Sequence, residues 1–185
     1  MSKLCLTPSV RRIVHSGIQI ATVLPAILAV RFILLSTEVS ADDAEDCDIA
    51  EAVVRTEPSR AVAACRRLAE KGDAFGQNAM GTMYSLGRGV PLDYLEAVKW
   101  FQLAADQGLA GAQNNLGVMY SHGLGVPQNY VLAHLWLSLA AVSLAPGEGR
   151  DLAIKNRDRV EKLMTQEQLQ EARRLATEWK PQSSQ

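Results

Sequence analysis

Histidine, cysteine and surplus positive charge are scarce in this 185-residue chain, and each shortage removes a class of function. There are three histidines, His15, His122 and His134. His15 lies in an N-terminal apolar run. His122 and His134 have no cysteine or carboxylate cluster at ligand spacing, so no metal site is expected. The sequence contains no Ser-x-x-Lys, Gly-x-Ser-x-Gly or His-Glu-x-x-His. It therefore offers no recognisable nucleophile or catalytic-zinc motif, and neither a catalytic residue nor a cofactor is expected. Net charge is −1, and residues 42–185 carry 15 Lys+Arg against 19 Asp+Glu. That balance argues against a nucleic-acid partner, which needs a cationic face to displace counterions.

Cysteine is limited to Cys5, Cys47 and Cys65. Cys5 belongs to residues 1–41, which read as an export segment. Arg11 and Arg12 precede an apolar run, and Val39-Ser40-Ala41 forms a small-residue cleavage pattern before the acidic "DDAEDCD". The alternative is an uncleaved N-terminal membrane anchor, the only contact with a membrane that the sequence allows. Arg31 and Pro25 interrupt a long span. Either reading leaves residues 42–185 outside the cytoplasm, periplasmic or secreted. An oxidising compartment permits Cys47 and Cys65 to pair.

Beyond these shortages, the chain repeats itself. Gln77–Ala105 and Gln113–Ala141 share 16 identities in 29 ungapped positions, the mark of a stacked array. Each unit parses as two helices. Ala112, Leu116, Met119 and Tyr120 share one side of the first. Gly123-Leu124-Gly125 then breaks it, with glycine at the C-terminal cap. Asn129 caps the second helix. Asp93 does so in the earlier copy, with Glu96 completing a capping-box-like pattern. Ala97, Trp100 and Ala104, and likewise Ala133, Trp136 and Ala140, mark the buried side. Gly81 and Gly117 cost about 1 kcal/mol each in helix propensity, which suggests close helix approach with the paired Trp filling the space beside it. The recurrence of Tyr84/Tyr120 and Trp100/Trp136 favours core packing over an aromatic ligand box. The glycines of "GRGVP" and "GLGVP" read as helix breakers, since no strand precedes them and no Lys follows.

The frame continues upstream in weakened form. "SRAVAACRRLAEKGDAFGQ" superimposes on "LEAVKWFQLAADQGLAGAQ", giving a degenerate first hairpin over 44–72 whose first helix would be 44–54. Cys47 and Cys65 then lie at similar distances from its turn on antiparallel helices, and a disulfide is expected. Repeats follow at 73–108 and 109–145. A C-terminal cap of two helices spans 147–180, with Leu152, Val160, Leu163 and Met164 as its sparse apolar positions. Thr165 and Gln168 form a capping box, and Leu169, Ala172, Ala176 and Trp179 share one face. Residues 181–185 are a polar tail.

These motifs resemble the Sel1-like repeat family, relatives of the tetratricopeptide repeat. The match runs through Met80-Gly81, Tyr84, Gly87, Gly89, Val90, Asp93, Ala97, Trp100, Ala104, Ala105 and Gly108. The second copy matches at Leu116-Gly117, Tyr120, Gly123, Gly125, Val126, Ala133, Trp136, Ala140 and Ala141, departing at Asn129 and Leu144. The resemblance covers roughly 57–180. It implies an all-α fold, an α/α solenoid of helical hairpins with a C-terminal capping helix pair, in a short exported bacterial member. It further implies an adaptor or scaffold with a protein or peptide partner. Some cysteine-rich relatives are described as binding or hydrolysing β-lactams, which keeps a hydrolase on envelope compounds as the alternative.

First helices of such arrays usually line the concave side. Asn78, Thr82 and Ser85, with their equivalents Asn114, Val118 and Ser121, share the face turned away from the Leu/Gly/Tyr packing side. These six are the candidate partner-binding residues. If the export reading holds, N-terminal sequencing of the mature protein starts at Asp42. Full-length protein in membranes would favour the anchor, and full-length protein in the cytosol would contradict both readings.

Overall fold

The structure, a computed structural model, describes Cys47 and residues 58–182. The export segment, the expected helix 44–54 and residues 183–185 lie outside the described residues. Seven helices and no strand occur among those described: α1 (Pro58–Glu70), α2 (Ala74–Leu86), α3 (Tyr94–Asp106), α4 (Ala110–His122), α5 (Tyr130–Ser143), α6 (Glu148–Glu161) and α7 (Gln166–Glu178). Each helix from α1 to α5 packs on the next, and α7 returns to pack on α5. No described helix is long and apolar enough to cross a membrane.

The repeated "GxGVP" carries out two separate tasks. Its first glycine ends the first helix in a left-handed conformation, with φ of 65° at Gly87 and 68° at Gly123. Its second glycine lies against the preceding repeat. A side chain at Gly89 would meet Val62 and the Pro58 carbonyl, and one at Gly125 would run into the Tyr94–Leu95 backbone. The chain then closes back on itself. The Asp93 N–H donates to the Tyr84 carbonyl, and the Asn129 N–H donates to that of Tyr120, both at 3.0 Å.

The second helices begin as their caps predict. The Asp93 carboxylate accepts from the Glu96 N–H, and the Asn129 side chain accepts from the Leu132 N–H. Glu96 does not close a reciprocal box, because its carboxylate pairs with Lys99 one turn along. At α7 the box is complete, with Thr165 and Gln168 each bonding the other's backbone N–H.

The core is built on small residues. Ala97, Ala104, Ala133 and Ala140 are fully buried, so the paired helices can approach closely. The groups that fill the space at the glycines differ from the expectation. A Cβ at Gly81 would lie 2.6 Å from the Phe101 ring, and one at Gly117 would lie 2.6 Å from Leu137 Cγ. Each gap is filled by the residue one past the tryptophan. Trp136 is buried and meets Trp179 edge-on at 6.1 Å between centroids. Trp100 is half-buried against the apolar core formed by α1 and α2 around Leu68, Met80 and Met83. The tryptophans therefore join neighbouring layers, while Phe101 and Leu137 lock each hairpin.

Buried glutamines tie successive repeats together. Gln77 Nε2 donates to the Ala69 carbonyl, and Gln113 Nε2 donates to that of Ala105, both at 3.4 Å. Gln107 Nε2 donates to Gln77 Oε1 at 2.7 Å and to the Gly72 carbonyl at 3.0 Å. One period later the position of Gln107 is Ser143, too short to reach, and Gln113 Oε1 is buried without a partner. The same junction replaces Gly108, φ 90°, by the extended Leu144, so the tight turn does not recur.

Cys47 and Cys65 form a disulfide with Cα atoms 4.7 Å apart. Of the sparse apolar positions named for the cap, Leu152 and Leu163 are 51% and 58% exposed, whereas Val160 is buried. Ala153 is the other buried residue of α6.

Gly117→Ala should destabilise the domain by about 1–3 kcal/mol, since overpacking against Leu137 outweighs the gain in helix propensity. Gly111→Ala, in the same helix with open space around its Cβ, should raise stability by up to about 1 kcal/mol. Urea unfolding of the two variants checks the contrast.

Candidate functional site

The six expected residues occupy two neighbouring first helices: Asn78, Thr82 and Ser85 on α2, and Asn114, Val118 and Ser121 on α4. All six are half-buried. Thr82 Oγ1 donates to the Asn78 carbonyl, Ser85 Oγ to that of Thr82, and Ser121 Oγ to that of Val118, at 2.8–2.9 Å. Each hydroxyl proton is thus satisfied within its own helix, and each oxygen keeps acceptor capacity.

The two helices are joined by a residue that the sequence reading passed over. Asn115 Nδ2 donates to Asn78 Oδ1 at 3.1 Å. Asn78 therefore helps to hold the stack. Asn114, its equivalent by repeat position, has a buried Oδ1 without a hydrogen-bond partner.

Val118 and Ser121 also line a cleft of about 230 Å³. Its other walls come from the α4–α5 connection, the start of α5, one face of α6 through Asn156, Arg159 and Val160, and Leu163 in the turn after α6. None of these last four residues was singled out as a site from sequence. Their i, i+3, i+4, i+7 spacing matches that of Val118, Ser121 and His122 opposite, which is the one signal that could have found them.

Among the described residues, no group of three His, Cys, Asp or Glu could hold a metal ion. One arrangement does carry the residue types of an acid–base relay. His134 Nδ1 lies 3.3 Å from Ser138 Oγ, and its Nε2 lies 3.5 Å from Glu161 Oε2. The longer contact is too poorly placed for a hydrogen bond. Ser138 is not among the residues that line the cleft between α4 and α6. Glu161 Oε1 is in turn 3.3 Å from Arg173, so the cluster links α5, α6 and α7. Its geometry is that of a clamp between helices.

The fold agrees with the comparisons. Two stretches, residues 74–109 and 110–141, match the model of the Sel1 repeat. The chain contains two Sel1 repeats. It is similar in structure to a protective antigen of uropathogenic Escherichia coli strains displaying an SLR fold, at 32% identity and a TM-score of 0.67. That likeness covers 75% of this chain and 30% of the antigen. It is also similar to a Sel1-repeat protein from Oxalobacter formigenes, at 28% identity and a TM-score of 0.53, over 70% of this chain and 98% of that one. Among curated proteins no sequence matches the chain. Sel1 repeats typically serve as protein-interaction scaffolds.

Burial holds the His134 imidazole below its ordinary pKa. Glu161 pulls it upward, and Arg157 and Arg173 push it further down. With the folded value depressed, the unfolded state takes up the proton first as pH falls below about 6.5. Folding stability should therefore decline from pH 6.5 downward until the folded pKa is passed. His134→Leu should flatten that decline between pH 7.5 and pH 5. Urea midpoints across this range check it, and an unchanged slope would remove His134 as the cause.

Proposed function

We propose that this Sel1-repeat chain is an exported adaptor of the bacterial cell envelope, and that its partner, a protein or peptide, lies along the α2–α4 face. The observation that carries the reading is the polar row on adjacent first helices. Thr82, Ser85 and Ser121 are half-buried and keep oxygen acceptors, and the Asn115–Asn78 bond links the two helices. An extended peptide has backbone N–H groups to offer such a row.

Export draws support from the order of cationic flank, apolar run and Val39-Ser40-Ala41. The Cys47–Cys65 disulfide fits an oxidising compartment. The acidic balance of residues 42–185 fits a partner other than nucleic acid. The hydrolase alternative draws no support from the Ser138–His134–Glu161 cluster, in which His134 Nε2 makes no hydrogen bond to Glu161.

Photo-crosslinking in intact envelopes tests the reading. A crosslinking residue at Ser85 or Ser121 should capture the same discrete partner. One at Val142, 83% exposed on α5, should not. Equal capture from all three positions, or from none, would contradict the placement of the partner on the α2–α4 face.

A further inference from the structure

We propose that the cleft between α4 and α6 binds a carboxylate flanked by an aliphatic group, presented by a partner peptide. The proposal rests on the adaptor reading and specifies the chemistry of one of its contacts. At about 230 Å³ the cleft falls below the roughly 300–1,000 Å³ of typical small-molecule sites. It accepts a group the size of one residue.

The lining divides into two chemical halves. Arg159, Asn156 and Tyr130 supply donors, and Val118, Val160 and Leu163 supply an apolar wall. No carboxylate lines the cleft, although residues 42–185 carry four more acids than bases. The acidic neighbours of Arg159 on α6 are engaged elsewhere. Asp158 accepts from Arg157 at 2.7 Å, and Glu161 is held by Arg173 at 3.3 Å. No ion pair among the described residues engages Arg159, whose side chain is exposed. A guanidinium in that state matches a carboxylate, to which it can offer two parallel N–H donors. Leu163, 58% exposed at the cleft, gives a neighbouring aliphatic group something to cover. Charge and apolar complementarity thus select the same occupant.

NMR titration of the full mature chain tests this with three blocked dipeptides. Acetyl-Ala-Leu carries a terminal carboxylate, acetyl-Leu-Glu-amide carries a side-chain carboxylate, and acetyl-Leu-Gln-amide carries neither. At least one acidic probe should shift the Arg159 and Tyr130 amides, and the neutral probe should bind about tenfold more weakly or not at all. Which acid binds better tells a chain terminus from an internal acidic residue. Arg159→Gln should weaken the acidic probe about tenfold. Leu163→Ser should weaken it as well. Both variants should melt like wild type, since both side chains are exposed. Equal binding of the neutral probe, wild-type binding by Arg159→Gln, or no shift at concentrations on the order of 10 mM would overturn the proposal. If the dipeptides fail while crosslinks from Ser85 and Ser121 persist, the carboxylate cleft is wrong and the adaptor reading stands. If the dipeptides bind while the crosslinks vanish, the cleft stands and the placement of the partner falls.

Discussion

The close approach of two helices at a glycine governs this molecule. At Gly81 the Phe101 ring occupies the volume a side chain would need, and at Gly117 Leu137 does the same. Neither helix can shift or rotate much without losing that contact, because packing energy falls away within an ångström. The fully buried alanines on the second helices extend the contact along each pair. One hairpin still leaves an apolar side bare, so the unit must be stacked. The second glycine of each "GxGVP" does the stacking by letting the turn lie on the preceding second helix.

The surface available for binding follows from that packing. Fixing the hairpins fixes the register of α2 against α4, and Asn115 can then bond Asn78 across the repeat boundary. The polar row on those helices is ordered for the same reason. The regular pattern ends after α5, where Ser143 stands in place of a glutamine and Leu144 in place of a left-handed glycine. From there the chain builds α6 and α7 by other means. The Glu161 carboxylate lies between His134 and Arg173, and Trp179 packs edge-on against Trp136. The cleft beside Arg159 lies at this change from repeat to cap.

Much of the fold was legible because its signals are local or periodic. The first glycine after each first helix, the Asp93 and Asn129 caps and the Thr165–Gln168 box are each set by a few adjacent residues. The pairing of Cys47 with Cys65 followed from hairpin geometry. The residue beside each glycine was harder to place. Trp100 and Phe101 are both large and adjacent, and a difference of one position is about 100° of helix rotation, which only the interhelical angle resolves. In α6 the apolar pattern is sparse: Val160, one of its named positions, is buried, but the pattern did not show that Ala153 would be buried and the adjacent Leu152 exposed. The α2–α4 row was legible as a face, but its link through Asn115 was not, because repeat alignment pairs Asn78 with Asn114. The cleft at Arg159 joins the end of one repeat to the cap, and no period connects the two.

A double-mutant cycle between Gly117 and Leu137 tests the central claim most directly. If the glycine is required because Leu137 fills its space, truncating Leu137 to alanine makes room for a Cβ at position 117. Gly117→Ala should then cost about 1 kcal/mol or more less in the Leu137→Ala background than in wild type. Costs that add within about 0.5 kcal/mol would mean that the two residues do not oppose each other, and would contradict the interlock on which the stack depends.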